Sequence, residues 1–87
     1  MEMMEVALRS TMGFHARPAS IFVKEAVKFS SEISIIREEK KINGKSIMGV
    51  LSLGLGCGDT FTIAAEGEDE KQAVTLLAKL VEDNFGE

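Results

Sequence analysis

The run Gly13-Phe14-His15-Ala16-Arg17-Pro18 sets an imidazole and a guanidinium two residues apart, where a helix is expected to begin. His15 is the only histidine in the chain. A helix N-terminus offers amide donors and the positive end of the helix dipole, and both favour an anion. The Arg17 guanidinium presents a planar fork of donors that suits phosphate oxygens. A neutral imidazole nitrogen is a nucleophile near neutral pH. Together these groups could carry a labile phosphoryl group, with Gly13 letting the chain turn closely. The same residues admit three other readings: an exposed histidine that only caps the helix, a metal ligand, or a general acid or base. A metal site is disfavoured, because there is no second histidine and Cys57 is distant in sequence. No metal and no cofactor is expected.

The second run is Lys45-Ser46-Ile47-Met48-Gly49-Val50-Leu51-Ser52-Leu53. Ser46 stands where a hydroxyl can cap a short helix over about 46–53. Ile47, Met48, Val50, Leu51 and Leu53 then cover nearly its whole circumference. A helix of roughly two turns in a two-layer domain cannot bury all of them. Either the helix is sunk into the core, or some of Ile47, Met48 and Leu51 stay exposed as an apolar partner surface, for which methionine is well suited. The glycine run at 54–58 fits neither a dinucleotide fingerprint nor a P-loop and reads as a helix stop and loop. Cys57 reads as a small loop residue, and the charged cluster at 66–71 as a helix start.

The elements that must position these groups follow from periodicity. Residues 4–9 alternate, with Met4, Val6 and Leu8 on one side, and predict a first strand. Ser10-Thr11-Met12-Gly13 follows as a loop. Pro18 is tolerated near a helix start, and Ala19, Phe22, Val23 and Ala26 carry the apolar face of a helix over about 16–28. Ser20 and Lys24 fall on its other face. Ile33, Ile35 and Ile36 mark a strand at 32–37, and Lys40–Asn43 a short strand after a charged turn. Asn43-Gly44 is a turn signal. Phe61, Ile63 and Ala65 alternate through a strand at 59–65. Asp69-Glu70-Lys71-Gln72 has the form of a capping box. Ala73, Leu76, Leu77, Leu80 and Val81 then form an amphipathic stripe, with Gly86 just past its end. The order βαββαβα predicts an α+β fold, a mainly antiparallel sheet with helices on one face and solvent on the other.

Composition bounds the rest. The chain has 87 residues, enough for one domain over 1–87 with a modest core. The net charge of -4 and the absence of Trp and Tyr argue against nucleic-acid binding. No apolar run approaches the ~20 residues of a membrane span. The acidic start Met1-Glu2-Met3-Met4-Glu5 does not look like a signal peptide, and the one cysteine cannot form an internal disulfide. A cytoplasmic location is therefore expected.

With these residues in view, the chain closely resembles the HPr family, histidine-containing phosphocarriers of the bacterial sugar phosphotransferase system. The resemblance covers essentially the whole length. It rests on Gly13-Phe14-His15-Ala16-Arg17-Pro18-Ala19, on Lys45-Ser46-Ile47-Met48-Gly49-Val50 with Ser52-Leu53-Gly54, and on Gly67-Glu68-Asp69-Glu70. It implies an open-faced β-sandwich of four antiparallel strands with three helices on one side. It implies that His15 accepts a phosphoryl group that enzyme I draws from phosphoenolpyruvate, and donates it to sugar-specific enzyme IIA proteins. Arg17 would contact the phosphoryl group. The chain would be a relay, not an independent enzyme. The Ser46 run is similar to the Gram-positive type, in which a kinase/phosphorylase modifies this serine. The modified protein then acts with a catabolite-control transcription factor. Partner-binding residues are expected at Ser20, Lys24, Ile47, Met48 and Leu51.

Two residues depart from the family pattern. Met12 stands where a small polar residue is usual, so a supporting hydrogen bond is expected to be missing. Phe14 replaces the commoner Leu or Ile and is expected to enlarge the docking patch. A purely regulatory paralogue acting through Ser46 is the competing reading; related regulatory proteins lack the active histidine. An unrelated α/β binding module with His15 as a cap is the other. A carrier that presents one site to several partners is expected to be a monomer.

Overall fold

A strand packed on one face needs apolar residues at every second position. In the computed structural model, which describes residues 1–86, strand β4 (Thr60–Glu66) meets this with Phe61, Ile63 and Ala65, all buried. Beside it, β2 (Glu32–Arg37) buries Ile33 and Ile35 on the same side. The edges are β1 (Glu2–Ala7), paired with β4 from Glu2↔Ala65 to Ala7↔Thr60, and the short β3 (Lys40–Asn43), paired with β2. The sheet order is β1-β4-β2-β3 and every pairing is antiparallel. Helices α1 (Ala16–Ala26), α2 (Ile47–Ser52) and α3 (Glu70–Glu82) complete the predicted order. One core joins the sheet's inner face to Phe22 and Val23 of α1, Val50 of α2, and Leu77 and Val81 of α3.

Several local expectations shift. β1 runs two residues earlier than its alternation suggested. Leu8 lies beyond the strand, buried, and exchanges backbone bonds with Gly58 and Asp59 instead. Met4, expected to face inward with Val6 and Leu8, is 40% exposed, whereas Val6 on the same edge strand is buried. α1 ends at Ala26, and Val27 is exposed. The buried stripe of α3 is Ala73, Val74, Leu77, Ala78 and Val81. Leu76 lies about 130° around the helix from its centre and is exposed.

The capping box at α3 is replaced by a longer tether. The Asp69 side chain makes no cap bond to its own helix. Its carboxylate accepts from the Ser30 amide at 2.9 Å, the Ser31 amide at 3.0 Å, and the Ser31 hydroxyl. Glu70 accepts from the Gly67 amide at 3.1 Å and closes the turn in place of Gln72. Asp69 thus fastens the start of α3 to the start of β2. The Ser31 hydroxyl and then the Ser30 amide hold its carboxyl below the usual carboxylate range.

A carboxyl with a depressed folded pKa stabilises fully above its unfolded value, about 3.9, and the stabilisation is lost as pH falls through the folded value. Asp69→Ala is therefore expected to melt earlier than the wild type at neutral pH. The gap in Tm should narrow as pH is lowered below about 4. Thermal melts with a gap independent of pH would contradict the tether.

Candidate functional site

The loop before α1 is held from beneath. Gly13 donates to the Ser10 carbonyl at 3.0 Å and adopts φ +76, a left-handed conformation that glycine enters freely. A Cβ at this position would stand 2.6 Å from the Leu55 carbonyl oxygen and 3.1 Å from the Gly56 Cα. The next amide, Phe14, donates to that same Leu55 carbonyl at 2.9 Å. The stretch after α2 is therefore more than the helix stop that its glycines predicted. It is the seat of the loop, and Leu55 and Gly56 are the site residues that the sequence reading missed.

The Phe14 side chain provides the second anchor. It was expected to widen a docking surface, but it is 4% exposed and belongs to the core. Its ring meets Phe22 edge-on at 5.8 Å, Phe61 at 5.8 Å and Phe85 at 5.5 Å. Such pairs add about 0.5–1.5 kcal/mol each beyond the area they bury. Phe85 reaches this cluster from the turn that follows α3 (Asn84–Gly86), where its own φ is +57. Residue 14 is thus fixed through both backbone and ring, one position before the histidine.

His15 follows as the N-cap of α1 in extended conformation, φ -88 and ψ -171. Its carbonyl accepts from the Ala19 amide at 3.0 Å, but the imidazole makes no capping bond. The cap is a backbone role, so the half-buried ring remains available for chemistry at the positive end of the α1 dipole. Pro18 is buried in the first turn, where its missing N–H costs nothing. Arg17 is exposed on that turn, two residues from the ring. Among the described residues no group of three or more His, Cys, Asp or Glu side chains could hold a metal ion. No described helix is long and apolar enough to cross a membrane.

The second run lies on α2, which packs against α1. Ser46 is its N-cap, and Oγ accepts from the Gly49 amide at 3.1 Å. The approach is fixed by Asn43, whose side chain accepts from the Lys45 amide, and by Lys45 Nζ donating to the Phe29 carbonyl at 2.7 Å. Only Val50 of α2 is fully buried. Leu51 turns to the margin of the core and Leu53 also packs there, whereas Ile47 and Met48 are exposed. Ile47 and Met48 thus form the exposed apolar patch, with Leu51 at its margin. Ser20 and Lys24 are exposed along α1. Met12, in the loop before His15, is 77% exposed.

Comparison with known proteins agrees with this geometry. A family model described as the PTS HPr component phosphorylation site matches residues 3–83. The HPr-like protein Crh of Halalkalibacterium halodurans is 47% identical over 78 residues, covering 90% of this chain and 93% of that one. The phosphocarrier protein HPr of Buchnera aphidicola is 48% identical over 77 residues, covering 88% and 91%. Among solved structures, HPr-C-His from Thermoanaerobacter tengcongensis superimposes with a TM-score of 0.96 at 45% identity, covering 100% of this chain and 98% of that one. Solved relatives include a Crh dimer of Bacillus subtilis and an HPr dimer of Thermoanaerobacter tengcongensis, which stand against the expectation of a monomer.

Gly13→Ala tests the seat of the loop. It should destabilise the fold by more than about 1 kcal/mol, from the left-handed backbone alone. It should also move the NMR signals of the His15 ring, because the loop must lift off Leu55. A variant with the wild-type Tm and an unmoved His15 spectrum would show that the contact does not position the ring.

Proposed function

The chain belongs to the HPr family of phosphotransferase-system phosphocarriers, and from that premise we propose that His15 is the group that carries the phosphoryl. A neutral ring nitrogen attacks the phosphorus on loaded enzyme I, itself supplied from phosphoenolpyruvate. The N–P bond forms as the bond to the donor breaks. The phosphohistidine then gives the group to a sugar-specific enzyme IIA by the reverse exchange, and the imidazole is regenerated. Arg17 contacts the phosphoryl oxygens and offsets their charge, with the α1 dipole acting in the same direction. The protein is a stoichiometric carrier in the cytoplasm, since each transfer needs another protein on either side. The observation that carries this reading is that His15 caps α1 through its backbone while its ring stays out of the cap.

Ser46 is proposed as a second, regulatory phosphorylation site for a serine kinase/phosphorylase. Its phosphate would add charge beside the exposed Ile47 and Met48. Partner choice would shift toward a catabolite-control transcription factor and away from the relay, in which Ser20, Lys24, Ile47, Met48 and Leu51 face the partner. A purely regulatory role is the second reading; sequence identity does not separate the two, at 47% to an HPr-like Crh protein and 48% to a phosphocarrier HPr. His15 with Arg17 favours the carrier.

One assay separates the readings: enzyme I and phosphoenolpyruvate, read by intact mass and acid lability. The wild type should gain one acid-labile phosphoryl group and His15→Ala none. Ser46→Asp should accept more slowly with an unchanged far-UV circular dichroism spectrum, because charge at the cap alters docking and leaves α2 folded. No gain by the wild type, with enzyme I active on a control carrier, would leave the regulatory reading in its place.

A further inference from the structure

The chain has five methionines, and all of them are exposed: Met1 and Met3 at 56%, Met4 at 40%, Met12 and Met48 at 77%. Methionine is ordinarily a core residue that fills irregular gaps. Here the buried cluster is built from Val, Leu, Ile, Phe and Ala. The two most exposed methionines flank the two proposed phosphorylation positions. Met12 lies three residues before His15, on the loop seated against Leu55, and Met48 lies two residues after Ser46 on α2.

We propose that Met12 and Met48 are sites of reversible oxidation by peroxides, and that their sulfoxides weaken docking at the His15 surface without unfolding the domain. This inference rests on the carrier reading above. In the reaction the Sδ lone pair attacks one oxygen of hydrogen peroxide, the O–O bond breaks, and the other oxygen leaves as water after proton transfer. The thioether loses two electrons to become a sulfoxide, and the peroxide gains them. A flexible apolar side chain becomes polar and chiral. On a surface that partners must desolvate, a sulfoxide with no matching donor weakens binding. The fold is spared because no thioether belongs to the core cluster.

The test treats the whole protein with graded hydrogen peroxide, locates added oxygen by peptide mass, and measures phosphoryl acceptance from enzyme I. Met12 and Met48 should oxidise ahead of Met1, Met3 and Met4. KM for loaded enzyme I should rise about tenfold, the order expected from one poorly matched polar group at an interface. The kcat and Tm should stay close to those of the untreated protein. Methionine sulfoxide reductase should restore KM, which oxidation at the exposed Cys57 would not allow. In the double variant Met12→Leu, Met48→Leu, the ratio of treated to untreated KM should be near one, whatever its basal value. Acceptance unchanged by full sulfoxide formation at both residues would overturn the proposal. So would a loss that tracks Cys57 or a fall in Tm. Failure of the untreated wild type to accept a phosphoryl group would instead overturn the carrier reading.

Discussion

The site depends on the contact between Gly13 and the backbone at Leu55. No side chain fits there, since even a Cβ would come within 2.6 Å of the Leu55 carbonyl oxygen. The close approach lets the Phe14 amide use that carbonyl, and it delivers the Phe14 ring to the aromatic cluster. With residue 14 held at both ends, the extended backbone of His15 can start α1 without spending its ring as a cap. The imidazole proposed to carry the phosphoryl group is thus placed by interactions that do not touch it. The proposed transfer between proteins suits such an arrangement, because a carrier imidazole would have to be rigidly located and yet open to successive partners.

The same logic explains how the helices divide their work. α1 is long enough to bury a stripe of Pro18, Ala19, Phe22, Val23 and Ala26 while exposing Arg17, Ser20 and Lys24. α2 is too short for that division, and one buried residue, Val50, holds most of it to the core. Its remaining apolar residues reach the surface or its margin. The Ser46 cap, with the Asn43 and Lys45 bonds before it, supplies the order that so small a buried face cannot.

Much of this could be read in the chain itself, because the relevant signals are local. The alternation of Phe61, Ile63 and Ala65, the helical spacing after Pro18, and the side-chain types of His15, Arg17 and Ser46 each need only a short window. What could not be read is non-local. Phe14, Phe22, Phe61 and Phe85 are scattered in sequence and meet only after folding. Asp69 resembles a helix cap because its true partners, Ser30 and Ser31, lie 39 and 38 residues away. The Leu55 carbonyl is a backbone group, which no residue type announces. Leu76 falls within the apolar spacing of 73–81 yet lies off the buried face of α3, and the alternation of β1 does not distinguish Met4, which is exposed, from Val6, which is buried.

A phosphocarrier differs from a mere acceptor in giving its group away. The most direct measurement loads the protein from enzyme I, removes the donor, and adds a panel of sugar-specific enzyme IIA proteins. The intact mass of both partners is then followed with time. The account predicts that the phosphoryl group leaves His15 and appears in equal amount on a IIA protein. A group that stays on this chain, or is lost only to water while a control carrier discharges to the same panel, would contradict it.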